Sequence, residues 1–167
     1  MEETNSIQIY GHQYKIIVKM APHLQEKELK VFADKEKREF FILAGQKVLR
    51  SELQKAILVK VKQIAKEILT SRTRVLAAQV GYAPKRLAIK DTRTRWGSCS
   101  SLGNINLSWR LILAPPEHCD YVIFHELAHL KHHDHSSLFW NFLRSVCPYY
   151  VQSQHWFREN GHTLHKI

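Results

Sequence analysis

The chain is short of several features that would otherwise steer its reading. It has only three cysteines, Cys99, Cys119 and Cys147, and no two of them form a CxxC pair. That argues against a zinc finger or ribbon, and the odd count argues against a disulfide framework. Long apolar runs are missing. The richest stretches, residues 56–61 and 121–124, fall far short of a bilayer's thickness, so no membrane contact is expected. No apolar stretch follows the acidic residues 1–4, as a secretory signal requires, and the expected location is cytoplasmic. Internal repeats and low-complexity linkers are absent. Acidic residues are scarce: 15 Asp plus Glu face 25 Lys plus Arg, for a formal net charge of +10. That imbalance bears on partners and solubility, not on fold.

What is present suffices for a folded domain. At 167 residues and 44% hydrophobic content, the chain can bury one core, and disorder along its length is excluded. A single domain over residues 1–167 is expected, with a β-rich part (1–50) and a remainder (51–167) of helices, a strand pair and the chemistry. Residues 7–10 and 14–19 read as strands joined by a hairpin, and 40–43 as another strand; 24–37 is unassigned. Ser51 suits a helix N-cap, and apolar residues near a 3.6 period predict a helix to Leu69. A second helix is predicted over 72–80, ending at Gly81. Residues 87–96 read as extended and 97–103 as a polar turn. Residues 104–112 read as a half-buried strand, with Ile105, Leu107 and Trp109 on one face, paired antiparallel with 87–96. Pro116 suits the first position of a helix running to His132. Asp134 or Ser136 would cap the next helix, which Pro148 stops, and 149–159 is a last one.

Histidine is abundant, with 11 residues. His118, His125, His129, His132, His133 and His135 fall within one stretch interrupted by apolar residues, so they belong to the fold and not to a tag. His125, Glu126, Leu127, Ala128 and His129 spell HExxH. Two histidines at i and i+4 share one helical face and can reach one cation. Glu126 lies about 100° around the helix from His125, beside the metal, where it can take a proton from a metal-activated water. Zinc suits two imidazoles, and a catalytic zinc takes three protein ligands. The third needs a chain turn. His135, six residues after His129, fits, giving HExxHxxxxxH; His132, His133, Asp134 and Glu159 are the alternatives.

A wider set of residues surrounds this motif. Arg95, Trp96, Gly97, Ser98, Cys99 and Ser100 precede the run 103–111 (GNINLSWRL); Leu113, Ala114, Pro115 and Pro116 follow, then Asp120, Tyr121 and Val122, the HExxH, and His135, Ser136, Phe139 and Trp140. Over residues 93–140 the chain resembles the YgjP-like family of metal-dependent hydrolases, and more broadly the SprT-like zincins, which share the HExxH-x5-H spacing. Astacin-like metzincins share it too, but they carry glycine where this chain has His132 and need a Met-turn not found here. The resemblance implies an α+β, zincin-like fold: a small, mostly antiparallel sheet with an HExxH helix and further packing helices. It implies one zinc (Zn2+) per chain held by His125, His129 and His135, with Glu126 as general base. A strand beside that helix, 93–98 or 104–110, would bind extended substrate, making Arg93, Arg95, Asn106 and Ser108 candidate contacts.

The function expected is a zinc-dependent hydrolase, foremost a metallopeptidase acting on peptide or protein. The alternative, also attributed within the YgjP-like group, is a nucleoside triphosphate (UTP-like) phosphohydrolase. A second alternative is a nucleic-acid-associated zinc module acting on DNA-bound proteins, as SprT-like relatives do. Lys85, Arg86, Lys90, Arg93 and Arg95 form a basic run, opposed only by Asp91, that could hold phosphates. His155 and Tyr149, with Tyr150 and His162, are candidates to stabilise an oxyanion. Ser98 and Cys99 have no base placed beside them in sequence and are not expected to act as nucleophiles.

Overall fold

A computed structural model describes residues 5–166, so the acidic residues 1–4 lie outside the described residues. The chain is α+β and divides into two compact units, Met1–Ile64 and Ala65–Ile167. In the first unit, β1 (Asn5–Ile9), β2 (His12–Met20), β3 (Leu29–Asp34) and β4 (Glu39–Ala44) form a sheet of order β1-β2-β4-β3. The predicted hairpin turns at Tyr10 and Gly11, whose φ values of 49° and 76° match a two-residue turn with the twist of its flanking strands. The β1–β2 and β3–β4 pairs are antiparallel, and β2–β4 is parallel. In β4 burial alternates, with Phe40, Ile42 and Ala44 inward, and the Phe40 ring lies 5.6 Å from Tyr14. The unassigned stretch is β3. Exposed Lys30, Phe32 and Asp34 alternate with half-buried Leu29, Val31 and Ala33, a period of two that the exposed phenylalanine conceals.

One helix, α1 (Arg50–Val80), replaces the two predicted over 52–80. Thr70 and Ser71 do not break it, and the Thr73 hydroxyl donates to the Leu69 carbonyl at 2.7 Å within its ladder. Ser51 is inside the first turn and is not the cap: the Leu49 N–H donates to the Glu52 carboxylate at 2.8 Å. Gly81, at φ 77°, ends the helix as predicted.

The second unit holds β5 (Arg86–Lys90), β6 (Gly97–Cys99) and β7 (Asn104–Ser108) in the order β5-β7-β6. The extended segment before the turn pairs with β7 parallel, not antiparallel; the antiparallel partner is β6, which falls inside the predicted turn. The predicted strand 104–112 also stops at Ser108, and Trp109–Leu113 form a 3-10 helix. Ser108 caps it, accepting from the Arg110 N–H, so the buried Trp109 continues the apolar pattern in a different backbone. Across both sheets, three of the five strand pairings are antiparallel.

Helices α2 (Pro116–Ala128), α3 (Ser137–Val146) and α4 (Tyr150–Leu164) complete the unit. Pro116 opens α2, but the helix ends at Ala128 with His129 as its C-cap, one turn short of the predicted His132. α4 runs five residues beyond the expected Glu159. Most of α2 is buried. The Arg72 guanidinium grips Asp120 through two bonds of 2.8 and 2.6 Å, tying α1 to α2, and the Cys119 thiol donates to the Leu111 carbonyl. Among the described residues, no helix is long and apolar enough to cross a membrane.

Candidate active site

The early end of α2 lets the chain turn back at once. Residues 129–132 continue as a tight turn through bonds from Leu130, Lys131 and His132 to Leu127 and Ala128 carbonyls. Asp134, offered in sequence as a ligand alternative, accepts from the Ser136 N–H and shapes the entry to α3. The turn delivers His135 to the face of α2 that carries His125 and His129. Ligand atoms of the three histidines all lie within 4.8 Å of one another. Nε2 of His125 and Nε2 of His135 are 3.2 Å apart. Two nitrogens on one tetrahedral zinc, each about 2.0–2.1 Å from it, are separated by about 3.3–3.4 Å. The donor set and spacing therefore fit zinc.

The surroundings hold the imidazoles in the form a metal needs. His129 Nδ1 lies 3.0 Å from the His132 carbonyl. A carbonyl only accepts, so Nδ1 carries the proton and Nε2 keeps its lone pair. Burial, with its two histidine neighbours, pushes the His125 pKa down to about 3, so that ring stays neutral. Burial lowers His129 as well. The Phe139 ring sits within 5.0 Å of all three imidazoles. Trp140 stacks on His135 at 5.7 Å, and Tyr150 stacks on Trp140 at 5.6 Å.

Glu126 faces the β6 strand. An added Cβ on Gly97 would stand 2.6 Å from its Oε1, so only glycine lets the carboxylate approach this backbone. Burial raises the Glu126 pKa to about 7, and the Arg95 charge works against that rise. A carboxyl near neutrality can both take and return a proton. A cavity of about 430 Å³ opens beside it. One wall is α2, with Tyr121, Val122, His125 and Glu126; Arg95, Trp96 and Gly97 form a second wall, and Gln154, Phe157 and Arg158 of α4 a third.

Of the predicted substrate contacts, Arg95 lines the cavity and Arg93 does not. Ser108 is fully buried, and its hydroxyl donates to the Thr92 carbonyl while accepting from Arg110 N–H, so it belongs to the scaffold. Asn106 donates to the Ser98 hydroxyl across the strand pair. Its strand β7 is flanked by β5 and β6, so 104–110 is no edge. The edge is β6. Residues 96 and 100 bond to β7, as Trp96 O accepts from Ser108 N–H and Ser100 N–H donates to Asn104 O. By antiparallel alternation, the backbone groups of Gly97 and Cys99 point the other way. His155 is exposed on α4 and contacts Glu159 at 3.0 Å, leaving neither in the site. Tyr149 stands near Cys147, Asp120 and Arg72, away from the cavity, and burial raises its pKa. His162 is exposed. Lys85, Arg86 and Lys90 are exposed outside the cavity. Burial, with the Glu126 charge, pushes the Cys99 thiol up to about 11, a poor nucleophile.

Sequence reasoning missed Tyr121 as a site residue, although it stands four residues before His125 on the same helical face. Its ring is 6.0 Å from His125, and burial raises its pKa, so the phenol keeps its proton. Gln154, Phe157 and Arg158 carried no signal, because they reach the cavity from a helix distant in sequence.

The profile described as "YgjP-like, metallopeptidase domain" matches residues 1–160. Nothing among curated proteins matches. Among solved structures, the chain is similar to the metallopeptidase zymogen abylysin of Pyrococcus abyssi, with 27% identity, a TM-score of 0.43, and coverage of 48% of this chain and 80% of that one.

Proposed function

The chain belongs to the YgjP-like family of metallopeptidase domains, and from that premise we propose that it is a zinc-dependent peptidase whose general base is Glu126. The observation that carries this reading is the convergence of three imidazoles within 4.8 Å beside a buried carboxyl that lines an open cavity. His125, His129 and His135 would hold one zinc through their Nε2 atoms. When bound, zinc supplies Lewis acidity, lowering the pKa of water toward about 7 and polarising a carbonyl.

The chain's own residues do the rest. The His132 carbonyl fixes the His129 tautomer. Gly97 and Cys99 offer backbone donors and acceptors along the β6 edge, which pair with an extended peptide as an added strand. That places a scissile carbonyl over the end of α2. Glu126 takes a proton from the attacking water on a carboxylate oxygen and returns it to the departing amine nitrogen, so no net proton remains on the enzyme. The Tyr121 hydroxyl, held neutral by burial, donates to the oxygen that gains charge.

The test uses purified wild type and Glu126→Gln. Elemental analysis should give one zinc per chain in both. Wild type should cleave an unfolded protein, and the variant should not. Hydrolysis of a nucleoside triphosphate alone, lost in Glu126→Gln, would replace the peptidase reading by the phosphohydrolase one.

A further inference from the structure

We propose that the cavity beside Glu126 is a subsite for a substrate carboxylate, gripped between Arg95 and Arg158 over an aromatic floor. This rests on the peptidase reading and adds a substrate class to it. The floor is rigid. Trp96 lies 5.0 Å from Phe157 and stacks on His165 at 4.5 Å, and Gly161 of α4 comes close enough that an added Cβ would meet its ring at 3.1 Å. Tyr121 extends the floor, with its ring 6.3 Å from Phe157. The stem of a side chain would lie on these rings, and its charged end would reach the rim.

The rim is cationic. Arg95 precedes Trp96 in the loop before β6, and Arg158 follows Phe157 on α4; both are exposed and both line the cavity. Among the described residues neither guanidinium is ion-paired. The neighbouring carboxylates are committed elsewhere: Asp91 to Arg110, Asp120 to Arg72, and Glu159 to His155. Among the described residues, Glu126 is the only carboxyl on the cavity's walls. Two arginines without a salt bridge, Arg95 facing only the buried Glu126 carboxyl, in a chain of net charge +10, are suited to an acid brought by the substrate. Guanidinium geometry favours a planar two-oxygen acceptor, which a glutamate side chain or a free chain end both supply.

The test is a calorimetric titration of zinc-loaded Glu126→Gln, which binds without turnover. Matched short peptides would differ only by Glu against Gln at each position in turn, and by a free or amidated C-terminus. Wild-type cleavage of the same peptides is followed in parallel by mass spectrometry. The carboxylate form should bind about tenfold tighter at one position, with the preference shrinking as salt is raised. Adding Arg158→Glu should abolish the preference for the carboxylate form, because the new acid offsets Arg95. Selectivity that follows the free C-terminus assigns the carboxylate to the chain end, and selectivity that follows Glu assigns it to a side chain; both support the subsite. Equal binding of Glu and Gln peptides and of both termini, with wild type cleaving them all, overturns the subsite and leaves the peptidase reading standing. Carboxylate preference without any cleavage overturns the peptidase reading and keeps the subsite. Binding of UTP tighter than of any peptide overturns it in favour of a phosphate site.

Discussion

Replacing Glu126 by Gln should stabilise the metal-free protein, and should do so increasingly as pH rises above about 4.5. Folding raises the Glu126 pKa from 4.5 to about 7, chiefly by burial. Below 4.5 the carboxyl is protonated in both folded and unfolded chains, and burial costs no charge. Between 4.5 and 7 the unfolded chain releases the proton while the folded one keeps it, so wild-type stability falls as pH rises. Above 7 both states are ionised and the full cost is felt. Carrying the carboxyl from 4.5 to about 7 costs about 3 kcal/mol of stability at pH 8, against about 1 at pH 5. The amide of the variant does not titrate, so the gap between variant and wild type should widen by about 2 kcal/mol over that range. His125, whose pKa is lowered to about 3, titrates with the opposite sign, but identically in both proteins, and cancels in the difference. Urea unfolding of chelator-treated protein at pH 5, 6, 7 and 8 measures it directly. Parallel stability curves for the two proteins across this range would refute the claim that Glu126 sits where its charge is costly, and with it the proton-shuttling role argued from that burial.

Other substitutions separate the parts of the site. Gly97→Ala adds a Cβ 2.6 Å from Glu126 Oε1; it should displace the carboxylate, lowering kcat about 100-fold or more while elemental analysis still finds the zinc. His129→Ala removes one of three nitrogens and should abolish zinc retention through dialysis; wild-type metal content in that variant would exclude this histidine as a ligand. Asp120→Ala leaves the Arg72 guanidinium without its two-bond partner on α2. Because Asp120 is largely buried but Arg72 is about a third exposed, the loss should be about 2 kcal/mol in urea unfolding, with no change in zinc content.

What the sequence made legible follows helical geometry. His125, Glu126 and His129 are separated by a turn or less, so their relative directions follow from 3.6 residues per turn. His135 needed only the further knowledge that the chain turns back, and the structure turns it even earlier than expected, at Ala128. Strand partners are another matter. The alternation of Ile105 and Leu107 identified β7, but nothing local says whether β5 or β6 lies beside it, or in which direction; those choices are made by packing between segments distant in the chain. The glycine at position 97 falls where the sequence suggests a turn, because turns are where glycine is most often required. Here the requirement is steric and comes from Glu126, some thirty residues away. The same distance hid Arg158 and Phe157, which belong to α4 and meet the site only in the folded state.

These failures share one cause, and it separates the chemistry from its selectivity. The groups proposed to carry out hydrolysis stand on one helix and the turn after it, because a proton shuttle and a three-nitrogen donor set need short, rigid separations. The groups proposed to choose the substrate come from two segments distant in sequence: Arg95, Gly97 and Cys99 in and just before β6, and Arg158 on α4. A change in α4 can therefore alter the cavity's rim without disturbing the histidines or Glu126. On this arrangement, exchanging Arg158 should change which peptides are preferred while zinc content stays the same, whereas no exchange within HExxH should change preference without also changing zinc content or rate.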